Sequence, residues 1–529
     1  MTIPDPVMFS VVNICCVATI FDGDGTADPP PGATAVSSLA DAFSFCEHFL
    51  GRVGGQHAAT MLANLWSDRF GGTRFSSAFS GIGAPEQSIH SLQQYLRKAV
   101  PDVVTRVRQT SAIEWNEFSR AELKLSSLVP EHLFCDQNEF LSSSIRDVVL
   151  AKAKAQLWTT RSLWNVLSKP GSVLTNAYCE ICNKHCTVEA ADVHFAGTPC
   201  IDHSTQPGAK RQGVLGSSFV LLFVWCVMRT FVQEAIIVHE NVCDFQASFL
   251  FALLGSLYVI QSLQVELTAH GFPIRRRRRL TLLVHRRLIT AQLTRIQRWS
   301  CDFIALFKRV CRISYHQFLL ASESELAREL HWAQTRPLRG GPPLAKSIKR
   351  FANAVDVLGH RFVEALNESE LLRLRTYRRK WPSTTFSRSY ALHQESSVGG
   401  CPSFSAPRTA SCQTTKQGIQ FIDLLDRWIA PKEFLLLQGF QCYPEAKVNG
   451  EHCFTDEHLA SRNDRRTVEQ SGNSMPVPVM TITVIYSYLF VLSSHLGASA
   501  TSGGSSPEAV RRSRFRAALR GRKRPHPGD

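Results

Sequence analysis

The sequence has no apolar run that is typical of a membrane-spanning helix. Val214–Met228 is 15 residues long, short of the roughly 20 needed to cross a bilayer, and Val477–Leu492 is interrupted by Thr, Ser and Tyr. The apolar stretch Val7–Phe21 lacks a preceding basic segment and follows Asp5, so a signal peptide is not expected. We interpret Val214–Met228 and Val477–Leu492 as buried elements of an α/β core and expect no membrane partner.

Regular cysteine spacing and a surplus of acids are also missing. The 16 cysteines form no short, regular framework, so reduced intracellular thiols are expected rather than disulfides. The 529 residues include 44 Asp and Glu but 59 Lys and Arg, which gives a formal charge of +15. This balance favours a polyanionic partner, nucleic acid before an anionic membrane. General solubility with a basic tail would give the same balance.

From Thr73 onward the pattern alternates between strand, turn and helix. A helix is predicted over Pro85–Leu96, and an earlier helical stretch lies near Ser37–Trp66. Strands are predicted at, or ending near, Thr73–Phe79, Ile113-Glu114, Phe134-Cys135-Asp136, Asp192–Ala196, Ala235–Val238, Leu257–Val265 and Leu280–Val284. This alternation predicts an α/β fold with a doubly wound, mostly parallel sheet, whose ligands bind at the carboxyl ends of the strands.

A small-residue turn, Phe79-Ser80-Gly81-Ile82-Gly83, follows the first of these strands. Such a turn lets the backbone approach a nucleotide-like cofactor at a helix N-terminus. Glu114 ends the second strand and can accept from ribose hydroxyls, Trp115 can stack on adenine, and Asp136 can accept from its amino group. Each acid alone is equally well explained as a solvated loop residue. The expected cofactor-binding residues here are Phe79, Gly81, Ile82, Gly83, Glu114, Trp115 and Asp136.

Two later strands end in groups that suit chemistry on a pyrimidine. Cys200 follows a Thr-Pro turn and precedes the polar, basic segment 202–211, which is expected to lower the thiol pKa. Glu240 begins the sequence Glu-Asn-Val after the next strand. Attack on carbon 6 of a pyrimidine needs both a thiolate and an acid at N3. A buried, inert cysteine and a structural carboxylate are the alternatives.

Five consecutive arginines, Arg275–Arg279, precede an apolar strand. Alternation along that strand places Arg276 and Arg278 on one face, where they could hold the base carbonyl oxygen and the Glu240 carboxylate. Residues 271–300 contain nine arginines and no acid, which suits a DNA backbone. A nuclear-import or solvated basic run is the alternative.

Cys179, Cys182 and Cys186 lie close together in the sequence, with His185 beside them. The spacing matches one half of a paired zinc knuckle. With no second half visible, a cluster of free thiols is favoured over zinc, and no metal is expected.

Together and in this order, these segments resemble the DNA (cytosine-5) methyltransferase family. Further matches are Arg427–Glu433 with Leu437–Phe440, similar to the family's ninth motif, and Ser471–Val477, similar to the tenth, which closes the cofactor pocket. The resemblance implies S-adenosylmethionine as cofactor, with Pro199, Asn473 and Ser474 on the cofactor side. It also implies Cys200 as nucleophile, Glu240 as the acid, and Arg276 and Arg278 in the family's arginine positions.

The implied reaction is methyl transfer to carbon 5 of a cytosine flipped out of double-stranded DNA. A monomer in the nucleus is expected, with the cytoplasm as alternative. Ile201 and Ile274 stand where the family usually has Gln, which could lower activity. The alternatives are an RNA cytosine-5 methyltransferase of the same fold, a catalytically weak DNA-binding homologue, and a nicotinamide dehydrogenase, which leaves Cys200 and Glu240 unexplained.

The resemblance also divides the chain. We expect an N-terminal extension at 1–72, a catalytic core at 73–285, a smaller, irregular target-recognition region at 286–425, the C-terminal part of the core at 426–496, and a disordered basic tail at 497–529.

Overall fold

A computed structural model describes residues 35–67, 72–200, 216–288, 293–335, 362–380, 389–392, 408–412, 419–447 and 464–492. Its strands are β1 Ala35–Val36, β2 Thr73–Ala78, β3 Val107–Ile113, β4 Leu133–Phe134, β5 Asn176–Cys179, β6 Lys184–Thr187, β7 Val193–Ala196, β8 Ile236–Asn241, β9 Tyr258–Glu266, β10 Arg277–His285, β11 Val310–Cys311, β12 Ser389–Ala391, β13 Gln420–Ile422 and β14 Arg427–Trp428. The predicted extension before residue 35, the basic tail, and the loop that carries Ile201 lie outside the described residues.

The α-helices frame these strands. They are α1 Leu39–Phe43, α2 Phe45–Arg52, α3 Gln56–Leu65, α4 Ala84–Ala99, α5 Glu117–Leu125, α6 Ser143–Lys154, α7 Thr160–Leu167, α8 Ser217–Val232, α9 Ser248–Leu254, α10 Leu293–Gln297, α11 Trp299–Phe307, α12 Glu323–Thr335, α13 Glu368–Lys380, α14 Pro431–Leu436, α15 Asp464–Asn473 and α16 Val477–Tyr486.

Seven strands form the central sheet in the order β4-β3-β2-β7-β8-β10-β9. The pairs from β4 through β8 are parallel, and β10 runs antiparallel to both β8 and β9. The predicted doubly wound, mostly parallel α/β sheet is confirmed. The chain begins this sheet at β2, builds outward to β4, and then returns to β7 on the other side. Because such a reversal leaves a crevice at the carboxyl ends of the strands, ligands are expected between β2 and β7.

The turn between β2 and α4 shows how the sequence shapes that crevice. Gly83 precedes α4 in a left-handed conformation with φ of 85°, and proline occupies the first turn of the helix. A side chain at this φ is strained, whereas proline fits a first turn because its missing N–H would have no helical partner. Phe79 has a φ of 56° without being glycine. The chain therefore bends sharply twice between strand and helix.

The described parts of both apolar runs noted in the sequence are mostly buried. Val214–Met228 corresponds mainly to α8, which packs in one hydrophobic cluster on the sheet. The C-terminal run corresponds to α16, which packs in the main core with the N-terminal helices. By length and composition Arg466–Leu492 could cross a membrane, but 89% of its apolar 18-residue window is buried inside the fold. The interpretation as core elements fits this burial.

The described parts of 286–425 contribute to a small apolar core of their own. It includes Leu330, Tyr377, Tyr390, Phe421 and Trp428. The Trp428 indole donates to Glu329 Oε2 at 3.1 Å, and Tyr377 stacks on Tyr390 with centroids 5.6 Å apart. A short segment of this region, 408–412, lies beside the chain between β9 and β10, where Ala410 forms an isolated parallel bridge with Ile274.

Candidate active site

The Gly197–Cys200 turn follows β7 and packs closely against its neighbours. A Cβ on Gly197 would lie 2.7 Å from Met475 Cε and 3.0 Å from the Phe79 carbonyl oxygen, so a larger residue would have to displace the Met475 side chain and press against this oxygen. The Thr198 hydroxyl lies 2.7 Å from His239 Nε2. This packing delivers Pro199 and Cys200, both half-buried, to the carboxyl end of β7.

Asn241 joins this turn to the end of β8. Its side-chain amide donates to the Thr198 carbonyl oxygen at 2.9 Å, and its Oδ1 accepts from the Val242 N–H at 2.9 Å. Each bond satisfies a polar group at the end of a strand. The Glu-Asn-Val sequence therefore holds the cysteine turn against the strand that carries Glu240.

Glu240 and Arg278 form an ion pair between β8 and β10. In the antiparallel register Leu280 faces Glu240, so Arg278, two residues earlier on the same face, reaches the carboxylate diagonally. Arg278 Nε lies 2.9 Å from Glu240 Oε1, and both side chains are nearly buried. Burial raises the pKa of Glu240, while Arg278 and Arg276 lower it, and the net shift is upward. The carboxyl group is thus easier to protonate than an exposed glutamate.

Cys200 responds to the same two side chains. Burial raises the pKa of its thiol, Arg278 lowers it, and Glu240 raises it, with a net upward shift. The expectation of a lowered thiol pKa is therefore wrong for the described structure, because burial outweighs the guanidinium. The basic segment 202–211 invoked for that shift lies outside the described residues.

Arg276 points to a different partner from Arg278. It is almost completely buried, and its guanidinium donates to the carbonyl oxygens of Gly472, at 3.1 Å, and Ser474. Burial lowers its pKa to about 10. Both arginines act on the pKa of Glu240, but Arg276 lies one residue before β10 and braces the turn between α15 and α16. The roles of the two arginines on a bound base stay predictions.

That braced turn closes the crevice from the other side. The Ser474 hydroxyl donates to Gln438 Oε1 at 2.9 Å, and the Gln438 amide donates to the Ser471 carbonyl oxygen at 2.8 Å. The backbone of Asn473, whose side chain is exposed, lies 3.7 Å from where a Cβ on Gly81 would be. The segments that resemble the ninth and tenth motifs thus meet each other and the glycine turn.

Glu114 links the ends of β2 and β3. Its carboxylate accepts from the Gly81 N–H at 3.0 Å and from the Asn116 N–H at 2.9 Å. Burial raises its pKa to about 7, against the lowering effect of these bonds. The adjacent Ser80 hydroxyl is buried and has no hydrogen-bond partner among the described residues. A buried carboxyl and an unpartnered hydroxyl therefore flank the glycine turn.

The other predicted cofactor residues lie along the same edge of the sheet but differ in exposure and hydrogen bonding. Trp115 is 73% exposed, so one face of its indole is open to a partner. Asp136 lies two residues after β4, and its carboxylate accepts from the Asn138 N–H at 2.8 Å, capping a short helical turn. Ile82 is buried and Phe79 is half-buried. Their contacts with a cofactor stay predictions.

Two features near the site were not found from the sequence. Cys412, in the irregular region after β12, interacts with the guanidiniums of both Arg276 and Arg278. Ile274, expected to weaken activity in a glutamine position, is fully buried in the main core. Its backbone neighbours Pro273 and Arg275 bond to Ala410 at 2.7 and 2.9 Å. An apolar side chain suits this place, where the recognition region meets the core.

Comparison with known proteins gives similarity to solved structures only. No protein-family model matches the chain, and no curated protein does. A protein encoded within an E. coli prophage, described as a candidate DNA modification methyltransferase, aligns with 79% of this chain and 99% of its own at 13% identity and a TM-score of 0.41. A methyltransferase of Entamoeba histolytica aligns over 79% and 98% at 12% and 0.40. The S. pombe Dnmt2 methyltransferase aligns over 79% and 99% at 12% and 0.37. These identities and TM-scores are too low to indicate a function.

Proposed function

We propose that this chain is an S-adenosylmethionine-dependent DNA (cytosine-5) methyltransferase with Cys200 as nucleophile and Glu240 as acid. The observation that carries the proposal is the buried Glu240–Arg278 ion pair at 2.9 Å, held beside the thiol of Cys200. A thiol, a carboxyl that protonates readily, and a fixed cation together fit a pyrimidine that is attacked at one carbon and protonated at a neighbouring nitrogen.

The groups have complementary tasks in that reaction. The Cys200 thiolate forms a bond to carbon 6 while Glu240 donates a hydrogen bond or proton at N3, which makes carbon 5 nucleophilic. Arg278 orients the Glu240 carboxyl and offsets the charge that develops near it. Once carbon 5 carries the methyl group that bound S-adenosylmethionine would supply, loss of its proton to water breaks the sulfur–carbon bond and returns the thiolate, while Glu240 takes back any proton given to N3. Because burial raises the pKa of Cys200, addition requires loss of a proton from a thiol that is mainly neutral at neutral pH.

The other half of the crevice fits an adenosine-containing cofactor. Ser80 offers an unpartnered buried hydroxyl, Glu114 offers a buried carboxyl with a pKa of about 7, and Trp115 offers an exposed indole. These groups suit ribose hydroxyls and an adenine ring. When bound, S-adenosylmethionine would supply an electrophilic methyl group. The turn braced by Arg276 would cover this pocket and exclude water from it.

Charge and access support a nucleic-acid substrate. The chain carries a net +15, and β10 begins within a run of five arginines, of which Arg277 is largely exposed although it pairs with Glu266 at 3.4 Å. Exposed cations of this kind hold phosphates without reading sequence. Since carbons 5 and 6 of a cytosine are unreachable within a stacked duplex, the base would have to leave the stack to meet Cys200.

Methylation of unmethylated genomic DNA, followed by bisulfite sequencing, tests the proposal. We expect cytosines that resist bisulfite conversion when S-adenosylmethionine is present, and none when Cys200→Ala replaces the wild type. A parallel reaction with tRNA shows which nucleic acid is the substrate. Methylation of tRNA without methylation of DNA would contradict the DNA substrate and support an RNA cytosine-5 methyltransferase. Binding of S-adenosylmethionine without methyl transfer to either nucleic acid would contradict catalysis and support a non-enzymatic DNA-binding role.

A further inference from the structure

A second group of thiols lies away from Cys200, where β4 meets the β5–β6 hairpin. Cys179, Cys182, Cys186 and His132 bring one ligand atom each to within 4.8 Å of all the others. We call these four residues the hairpin cluster. Cys179 and Cys186 are buried, and Cys182 and His132 are half-buried. All three thiols are free in the structure.

The geometry points to a structural zinc ion bound by the hairpin cluster. His132 Nδ1 lies 3.4 Å from Cys182 Sγ and 3.7 Å from Cys179 Sγ. Around tetrahedral zinc, with Zn–S of about 2.3 Å and Zn–N of about 2.0 Å, a nitrogen and a sulfur ligand are about 3.5 Å apart. The imidazole therefore stands at the separation from two of the thiols that such an ion requires, and all four ligand atoms lie within 4.8 Å of one another.

The local backbone is also arranged for thiolates. The N–H groups of Leu133 and Cys182 donate to Cys179 Sγ at 3.4 and 3.5 Å. Such bonds stabilise a sulfur that carries negative charge. Asn183, directly after the second cysteine, has a φ of 52°, which turns the chain back into β6 and brings Cys186 to the same place. Three soft sulfurs and one imidazole favour zinc over the oxygen-seeking cations.

His185, the histidine beside these cysteines in the sequence, is not part of the group. Neighbouring residues of a strand point to opposite faces, so Cys186 and His185 cannot both face the cluster. His185 is exposed, and its ring lies against Tyr178 at 6.3 Å. His132 takes the fourth place from 47 residues before Cys179. The fourth ligand is therefore a single histidine, His132, directly before β4, and not a second pair of cysteines.

Four protein ligands leave no open position, so the ion would serve structure rather than catalysis. It would link the start of β4, one of the two edge strands of the central sheet, to the β5–β6 hairpin. The two segments already share a backbone bond from the Glu180 N–H to the Leu133 carbonyl oxygen at 2.8 Å. Since Asp136 lies two residues after β4, the ion would fix one wall of the proposed cofactor pocket.

Metal analysis of the full-length protein, purified under reducing conditions without chelators, tests this inference. We expect one zinc per chain in the wild type and in Cys135→Ser, a control on a thiol that directly follows β4 but is not part of the cluster. Cys182→Ser should lose zinc, whereas His132→Cys, which preserves four ligands, should keep it. Replacement of zinc by Co²⁺ should give the absorption of tetrahedral cobalt with thiolate ligands in the wild type.

Chelation gives a readout that does not involve catalysis. Removal of zinc should lower the thermal unfolding midpoint of the wild type, and added zinc should restore it, while Cys182→Ser should respond to neither. Wild-type protein that is folded, reduced and free of zinc would overturn the inference, as would zinc that persists in Cys182→Ser or a disulfide between cluster cysteines identified by mass spectrometry. None of these results depends on methyl transfer.

Discussion

Cys200 and the hairpin cluster place thiols at two points near the same sheet, but the thiols have different neighbours. Cys200 is a single sulfur whose charge state depends on Arg278 and Glu240. The cluster gathers three sulfurs around one imidazole within 4.8 Å. One cation and one carboxyl beside a lone thiol suit a nucleophile, whereas four converging donors suit a metal. The neighbours in space, and not the presence of cysteine, separate the two chemistries.

Removing the lone sulfur should have the largest effect. Cys200→Ala eliminates the only proposed nucleophile, so we expect methyl transfer to fall by at least about 10³-fold. Initial rates with radiolabelled S-adenosylmethionine measure this, and the zinc content should stay at the wild-type value. Activity within a few-fold of the wild type would show that Cys200 is not the nucleophile and would remove the contrast between the two sites.

Replacing the acid beside that sulfur should come next. Glu240→Gln keeps the shape of the side chain but cannot supply a proton, so kcat should fall by about 10²-fold or more. Single-turnover rates on duplex DNA measure the chemical step. An unchanged rate would mean that N3 is engaged by another group, and the Glu240–Arg278 pair would then be structural.

Stability gives a further comparison. Near Cys200 a buried guanidinium, that of Arg276, holds two backbone carbonyl oxygens, whereas the hairpin cluster would be held by a metal ion. Arg276→Met removes the donor to the Gly472 and Ser474 carbonyl oxygens. Leaving those acceptors without a partner should lower the free energy of unfolding by roughly 1–3 kcal/mol. Chemical denaturation measures this, and S-adenosylmethionine should bind more weakly. The exposed Arg277, replaced by Met, is the matched control, and an equal loss there would argue against a bracing role for Arg276.

The smallest expected effect concerns the pKa of Cys200, and its sign depends on the neighbour removed. Arg278 lowers this pKa and Glu240 raises it. In Arg278→Gln the midpoint for alkylation of Cys200 should therefore move to higher pH, and in Glu240→Gln to lower pH. Mass spectrometry of the Cys200 peptide across a pH series measures both shifts, with exposed Cys301 as an internal control. Shifts in the same direction for both variants would contradict the assigned charges.

The strands could be predicted from the sequence because their pattern is local. The predicted strand Thr73–Phe79 differs from β2 by one residue, and Asp192–Ala196 differs from β7 by one residue. Apolar runs bounded by turn residues determine such elements without information from the rest of the chain. The same local pattern predicted that the candidate motifs lie at the ends of these strands.

Contacts between distant segments could not be predicted in this way. The strand containing Arg278 was expected to begin at Leu280, yet β10 starts at Arg277 because pairing with β9 extends it. The place of His132 beside Cys179 depends on how β4 meets the hairpin, and the sequence between them carries no signal for it. The bond of Arg276 to the α15–α16 turn likewise joins residues almost 200 positions apart.

Covalent trapping on duplex DNA that contains 5-fluorocytosine tests the central claim most directly. Fluorine at carbon 5 cannot leave as a proton does, so a Cys200–carbon 6 bond formed during methyl transfer should persist. We predict a stable protein–DNA adduct that requires S-adenosylmethionine, maps to Cys200, and is absent in Cys200→Ala. Wild-type protein that binds both the cofactor and the DNA but forms no adduct, or an adduct that maps to another cysteine, would contradict the account.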